Sequence, residues 1–313
     1  LKEIVRPARF TAQDVVTLAA HLTERDRQIA LDCFEHRVLT TDQIKRLHFT
    51  DTRTTVARLD TLYRLRVLDR FRPSLPRGRG TAPYHWILDE AGALIAADCR
   101  GVERAKLGWQ HAVAAGVATS PKLAHHVEVN EFVVRLAVET GRAGGWLSEW
   151  YGERTLHDFL DGEIIPDSYA VLRLPDRPPL HVFVELDRGT ETLERLQEKA
   201  TRYRKALRWR DVRELDPLVL LLVPSAGRSR SVTTALAGSD APFAVVVWSK
   251  HSTGSVLTAV LDAEAARAWE RRRDREDAEI RREAQAQAAA GTPVEGLRPA
   301  LASDLLDHPQ QPE

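Results

Sequence analysis

Residues 39–71 read LTTDQIKRLHFTDTRTTVARLDTLYRLRVLDRF, and the order of signals in this stretch decides how the first part of the chain folds. Thr40-Thr41-Asp42 is a helix N-cap signal, and the short helix it opens carries Ile44 and Leu47. A second start near Asp51 or Thr52 opens a helix whose apolar residues Val56, Leu59, Leu62 and Leu65 fall on one stripe. Val67 to Phe71 is strand-like. Upstream, Thr23-Glu24-Arg25-Asp26 begins a helix with Ile29, Ala30, Cys33 and Phe34 at helical spacing. Downstream, a Pro/Gly/Arg loop from Pro73 to Gly80 separates the first strand from a second, Tyr84 to Leu88. The order is helix, helix, helix, hairpin.

That order resembles the winged helix-turn-helix of bacterial regulators and implies double-stranded DNA as a partner. Opposite the apolar stripe, the third helix presents Thr52, Arg53, Thr54, Thr55 and Arg58 near its N-terminus, where a recognition helix meets base edges and phosphates. The loop adds Arg72, Arg77 and Arg79, as a wing touching the DNA backbone or minor groove would. A small helical domain with a solvated basic face, or a winged helix used for protein contacts, fits the same residues.

The 313 residues carry 45 basic and 45 acidic side chains, and this neutrality conceals an asymmetry. From Arg37 to Arg79 there are 11 basic and 4 acidic residues, a local charge of +7; from Glu149 to Lys199 there are 12 acidic and 6 basic, a local charge of −6. A DNA-binding module joined to a cation-binding site would look like this. Of the basic residues 38 are Arg and 7 are Lys, which suits phosphate recognition but equally a GC-rich codon usage. No apolar run approaches the roughly 18–20 residues that span a bilayer, and the first ten residues lack a secretory core, so a cytoplasmic, non-membrane protein is expected. With only Cys33 and Cys99, a disulfide scaffold and a four-cysteine zinc module are excluded, and both are expected as small core residues.

Asp89-Glu90-Ala91-Gly92 opens another helix, residues 100–117 suggest a connecting helix, and Thr119-Ser120-Pro121 signals a change of domain. Then follow a helix (122–140), strands (146–156, 164–174 and 181–187), a helix (192–209), a buried strand (217–223), a helix (228–236) and a strand (243–248). The continuous apolar run of 217–223 suggests cover on both faces. The order αβββαβαβ, with Pro166-Asp167 in the second strand and Glu185 near the end of the third, resembles the restriction-endonuclease-like PD-(D/E)xK superfamily. Alternation along the strand puts Glu185 and Asp187 on one face, so Asp167, Glu185 and Asp187 are expected to converge. Hard oxygen ligands of this kind hold Mg²⁺, here through Asp167 and Glu185. The resemblance adds Glu131 of the preceding helix as an outer acidic residue. It also calls for a lysine two residues after the second acid, where this chain has Asp187; Lys199, one helical turn from Tyr203, is the candidate replacement. A strand end with solvated charges is the competing reading of Glu185-Leu186-Asp187-Arg188.

The chain as a whole, from about Leu22 to Leu207, is similar to the actinobacterial replication-relaxation family. The likeness rests on the first-half pattern, on HHVEVNEFVVRLA (125–137), on IIPDSYAVLRL (164–174), and on HVFVELDRGTETLERLQEKATRYRKAL (181–207). It implies a role in replication and relaxation of plasmids or other mobile elements, with a replication or transfer protein as a partner. There is no His-x-His with a nucleophilic tyrosine for a nicking relaxase, no phosphate-binding Walker loop, no His-Glu-x-x-His and no Gly-x-Ser-x-Gly. Two functions stay in play: a DNA-binding protein with a Mg²⁺-dependent nuclease-like domain, and a non-catalytic adaptor or transcriptional regulator that recruits replication or transfer proteins. The expected organisation is an N-terminal arm (1–20), a winged helix (21–100), a connector helix (101–119), a nuclease-like domain (120–262), a charged helix (263–290) and a disordered tail (291–313).

Overall fold

A computed structural model of the chain describes residues 18, 21–74, 80–160, 162–237 and 242–289. The described residues form a mixed α/β protein with two sheets. Two compact units divide it, Leu1–Glu264 and Ala265–Glu313.

The first layer is built as its caps dictate. Helix α1 (Glu24–Glu35) starts at Thr23, whose hydroxyl accepts from the Asp26 N–H while the Asp26 carboxylate accepts from the Thr23 N–H. Strand β1 (Leu39–Thr40) runs into α2 (Thr41–His48) through the same reciprocal device between Thr40 and Gln43. Asp51 caps α3 (Thr52–Arg64) by accepting from the Thr54 N–H at 2.8 Å. Strands β2 (Leu68–Phe71) and β3 (His85–Leu88) complete an antiparallel three-stranded sheet in the order β1-β3-β2. Ile29, Cys33, Ile44, Leu59, Leu62, Leu68 and Trp86 form one core with α4 (Glu90–Cys99). The apolar stripe of α3 is narrower than its sequence suggests: Thr55 is buried and Val56 is 52% exposed. Cys33 is buried, whereas Cys99 is exposed at the end of α4, so only one of the two cysteines is a core residue.

Gly92 lets α4 lie against this sheet. A Cβ on it would come within 2.2 Å of the Val67 carbonyl oxygen and 2.5 Å of a Leu88 methyl. Backbone cannot yield as a side chain can, so Gly92→Ala is expected to cost at least about 2 kcal/mol, as core overpacking does. Denaturant unfolding would measure it.

In place of one connector helix, the segment after α4 is broken into a 3₁₀ turn (Arg104–Leu107), a short α5 (His111–Gly116) and a second 3₁₀ turn (Val117–Thr119). Gly101 and Gly108, both with positive φ, interrupt it.

The second layer is a five-stranded sheet ordered β4-β5-β6-β7-β8: β4 (Trp146–Gly152), β5 (Ser168–Arg173) and β6 (Leu180–Leu186) are antiparallel, and β6, β7 (Leu218–Val223) and β8 (Phe243–Val247) are parallel. One face packs on α6 (Leu123–Arg142) through Val129, Phe132, Val133 and Leu136 against Leu172, Val182, Val184 and Leu220. The other face packs on α8 (Leu193–Ala206) and α10 (Ala226–Leu236), with Tyr203 among Tyr169, Phe183 and Val219. Every residue of β7 is buried, the outcome its unbroken apolar run requires of a central parallel strand.

Two helices are unannounced by the sequence pattern. The strand expected over 146–156 stops at Gly152, and α7 (Glu153–Phe159) follows. The cause is tertiary: the Gly152 N–H donates to the buried Glu35 carboxylate at 3.0 Å, and a Cβ there would meet the Glu35 carbonyl at 2.9 Å. Helix α9 (Arg210–Leu215) is likewise separate from α8. Helix α11 (Val256–Ala289) begins earlier than the charged helix expected from 263. The tail from 291 and nearly all of the first 20 residues lie outside the described residues.

The two layers are joined by polar contacts to α6. Asn130 donates to the carbonyls of His36 and Val38, Gln43 to that of Val127, and Arg46 is paired with Glu131. His36 stacks on Trp150 with ring centroids 3.5 Å apart. Burial pushes the His36 pKa down to about 4, against the charges of Asp32 and Glu35. The folded imidazole therefore stays neutral where the unfolded one, with a pKa near 6.5, takes a proton. Its contribution to stability is complete above about pH 6.5 and declines as the pH falls toward 4. His36→Phe, which keeps a ring on Trp150, should reduce the acid-side slope of stability by up to about 1.4 kcal/mol per pH unit. Urea titrations across that range would show it.

Candidate functional site

A cleft of about 980 Å³ opens between the two layers, with Arg37 and Arg100 from the first and His125, Arg154, Asp167, Glu185 and Lys199 from the second among its lining residues. The sheet register explains why two acids meet here. Ser168 pairs with Val184, so extending the antiparallel register one step places Asp167 opposite Glu185. Asp167 sits just before β5 rather than within it, after Pro166. Its Oδ2 accepts from the Leu186 N–H at 2.8 Å, which fastens the acid to the end of β6. Its Oδ1 lies 2.9 Å from Nε2 of His125 on α6.

Glu185 points to the opposite helix layer. Its Oε1 accepts from the Tyr203 hydroxyl at 2.7 Å, and its Oε2 from the Lys199 ammonium at 3.0 Å. Lys199 also donates to Oε1 of Glu191 at 3.1 Å. Lys199 and Tyr203 reach the same carboxylate because they stand four residues apart on one face of α8. Thr192 positions that helix by capping its first turn.

The electrostatics separate the two acids. Burial raises the Glu185 pKa to about 7, and the charge of Asp167 adds to the rise against the opposing pull of Lys199 and Tyr203. Burial acts on Asp167 in the same sense, but the His125 hydrogen bond and charge, the Leu186 N–H and Lys199 outweigh it and hold that carboxyl below its ordinary value. His125 is raised because Asp167 overcomes its desolvation, and Lys199 is raised because Glu185 and Glu191 overcome its own. The site is thus two adjacent carboxylates flanked by cationic groups: the His125 imidazole on Asp167 and the Lys199 ammonium on Glu185. His125 is the member that sequence reasoning missed. Only its position near the start of the helix before the sheet hinted at it, because the pairing depends on how α6 crosses the end of β5.

The structure corrects the remaining acids. Asp187 lies past the end of β6 and turns away: its Oδ2 accepts from Nε of Arg228 at 2.6 Å, its Oδ1 accepts from the Gly189 N–H at 2.7 Å, and the side chain is fully enclosed. Strand alternation no longer governs it once the strand has ended. Glu131 is bound by Arg46 and Gln43, in the seam between α2 and α6. Among the described residues no three His, Cys, Asp or Glu side chains form a metal cage. Asp167 and Glu185 alone suit Mg²⁺, which commonly takes one or two carboxylates and keeps several waters. Two like charges pressed together by burial are also what a divalent cation relieves.

The expected DNA-facing residues divide. Thr52, Arg53 and Thr54 are exposed at the start of α3 beside Val56, and Arg72 is exposed with its guanidinium 3.8 Å over the Tyr84 ring. Two leave the set. Thr55 is buried and its hydroxyl donates to the Asp51 carbonyl at 2.6 Å. Arg58 is locked inward, with Nε 2.8 Å from Oδ1 of the buried Asp26 and a second nitrogen donating to the His21 carbonyl. Arg77 and Arg79 lie outside the described residues.

The fold and site define a two-layered α/β protein whose interlayer cleft holds a buried acid pair with a lysine. Its sequence matches the replication-relaxation family over residues 33–217, more than half of the chain, and the protein belongs to that family. No curated protein and no solved structure matches it significantly. All the cleft-lining residues, from Arg37 to Lys199, fall within the matched span. Among the described residues no helix is long and apolar enough to cross a membrane.

Proposed function

We propose that this is a cytoplasmic DNA-binding protein of a plasmid or other mobile element, combining a winged helix (21–100) with a PD-(D/E)xK nuclease-like domain (120–262) that nicks DNA with Mg²⁺. The observation that carries this reading is the Asp167–Glu185–Lys199 cluster at the sheet end, facing a cleft. The lysine required by such a site comes from α8 instead of from position 187, which is given over to an ion pair with Arg228.

Asp167 and Glu185 would hold the ion. When bound, Mg²⁺ polarises a phosphate oxygen and lowers the pKa of a coordinated water. The Lys199 ammonium, 3.0 Å from Glu185, supplies positive charge for a phosphate at the same place. Tyr203 fixes the rotamer of Glu185, and His125 does the same for Asp167. On the first layer, the exposed Arg53 with Thr52 and Thr54 would lie in a groove of double-stranded DNA, and Arg72 would touch its backbone.

One observation favours the non-catalytic adaptor instead: both carboxylates are already matched by protein cations and hydroxyls. Incubation with supercoiled plasmid and Mg²⁺ or Mn²⁺ separates the two. Nicking that EDTA abolishes supports the nuclease; intact plasmid together with a gel shift supports the adaptor. Arg53→Ala is expected to weaken duplex binding several-fold and to lower the salt slope by about one if the residue touches a phosphate. Unchanged binding would remove α3 as the recognition helix.

A further inference from the structure

The cleft has a second chemistry away from its acid pair. Seven Lys or Arg side chains line it against five Asp or Glu. The acids are largely spoken for: Glu185 and Glu191 by Lys199, Asp167 by His125, and Glu153 by Arg37 at 3.5 Å. Arg154 is different. Among the described residues it has no carboxylate within ion-pair distance, its Nε is buried without a hydrogen-bond partner, and one terminal nitrogen reaches only the Gly108 carbonyl at 3.3 Å. Its guanidinium and that of Arg100 lie 4.6 and 4.7 Å from the centre of the same Phe34 ring. Burial lowers the Arg154 pKa, and the positive charges of Arg37 and Arg100 add to this against the opposing charges of Glu35 and Asp158. Arg37 and Arg100 have carboxylate partners in Glu153 and Glu35, so Arg154 is the member of this guanidinium trio left without one. Arg37 joins them from a left-handed turn (φ 65°), a conformation that a non-glycine residue adopts only under constraint.

Taking the nuclease-like reading of the acid pair as its basis, we infer that the cleft binds the phosphodiester backbone of a single DNA strand, with one phosphate seated among Arg37, Arg100 and Arg154 and the strand continuing toward Asp167 and Glu185. A phosphate is the ligand that matches the fork of donors Arg154 leaves open, beside the guanidiniums of Arg37 and Arg100. The volume, at the upper end of the roughly 300–1,000 Å³ of small-ligand sites, suits a few nucleotides and not a duplex. Among the described residues no Phe, Tyr or Trp lines the cleft to stack a base, and Phe34 behind it is covered by the two arginines. Recognition is then by backbone charge, with little preference for sequence. Lys122, exposed at the cleft edge, extends the cationic path.

The test is fluorescence anisotropy of the full chain with a labelled twelve-residue oligothymidylate in EDTA, so that binding is read without cleavage. Arg154→Gln is expected to weaken binding about ten-fold or more, the scale of a lost hydrogen bond to a charged group, and to reduce the salt slope by about 0.7. Lys122→Glu, on an exposed side chain that folding does not need, is expected to weaken binding in the same direction. Unchanged affinity and slope in both variants, or no single-strand binding by the parent protein, overturns the inference. Competition by free thymidine monophosphate at equal phosphate concentration overturns the strand assignment in favour of a nucleotide site. Plasmid nicking is scored separately. A parent protein that binds the single strand through Arg154 yet never nicks retains this inference and loses the nuclease reading. One that nicks while Arg154→Gln binds and nicks as the parent does retains the nuclease reading alone.

Discussion

Asp167→Asn and Glu185→Gln are each expected to reduce plasmid nicking more than about 100-fold, the scale on which one preorganised active-site group acts, while leaving the fold intact. The two parts of this expectation come from the same geometry. Glu185 is 1% exposed, and its ionised form is disfavoured by burial and by Asp167, which is why its pKa is pushed up to about 7. A glutamine keeps the shape and can still accept from Tyr203; it gives up the Lys199 contact, leaving that ammonium on Glu191, but carries no charge to be desolvated. These opposing effects should keep its melting temperature within a few degrees of the parent's above pH 7, where the parent must carry the buried charge. Asp167→Asn retains an acceptor for the Leu186 N–H and loses only the charge matched to His125. Loss of nicking with a clear loss of stability would mean that the cluster is a structural ion-pair network. Undiminished nicking in either variant would move the chemistry elsewhere in the protein.

Arg58→Ala is expected to destabilise the protein by about 3 kcal/mol, and Arg53→Ala by less than about 0.5, although both are arginines of the same basic helix. Arg58 is the cation of a fully buried Asp26, and removing it leaves that carboxylate with only the Thr23 donors. Asp26 is subject to desolvation, which alone would raise its pKa; the Arg58 and Thr23 hydrogen bonds reverse this and lower it. The sign follows from a depressed carboxylate. The stabilisation is present above an unfolded pKa of about 3.9 and is lost as the pH falls through the lower folded value. Arg58→Ala should remove that acid-side transition and reduce the urea midpoint at neutral pH. A variant that instead keeps full stability and loses DNA affinity would return Arg58 to the DNA-facing set. Arg53, exposed in the first turn of α3, should show the opposite pair of results.

Much of the fold was legible because it is written in local chemistry. The caps at Thr23, Thr40 and Asp51 each start a helix where the sequence marks one, since a capping side chain and its acceptor lie within three residues of each other. The all-apolar run of β7 likewise reaches the structure unchanged. Family membership was legible in the motifs of α6, β5, β6 and α8. Helical spacing placed Lys199 and Tyr203 on one face of α8, and packing against β6 brought both to the Glu185 carboxylate.

What the sequence could not decide depends on partners far along the chain. Strand β4 ends at Gly152 because Glu35, over a hundred residues earlier, takes its N–H. Asp187 and Arg58 look like functional charges in one dimension, and become ion pairs once α10 and α1 deliver Arg228 and Asp26. Glu131 is spent on Arg46 in the seam between layers. Nothing in the sequence marks His125, though it opens a family motif, or Arg154 as a site residue, yet the first finds Asp167 and the second finds Arg37 and Arg100 when the layers pack around the cleft. Hydrogen-bonding capacity and periodicity are properties of neighbouring residues and can be read from sequence. Which charges are neutralised and which face a ligand is set by burial and by distance through space, and only the packed layers determine that.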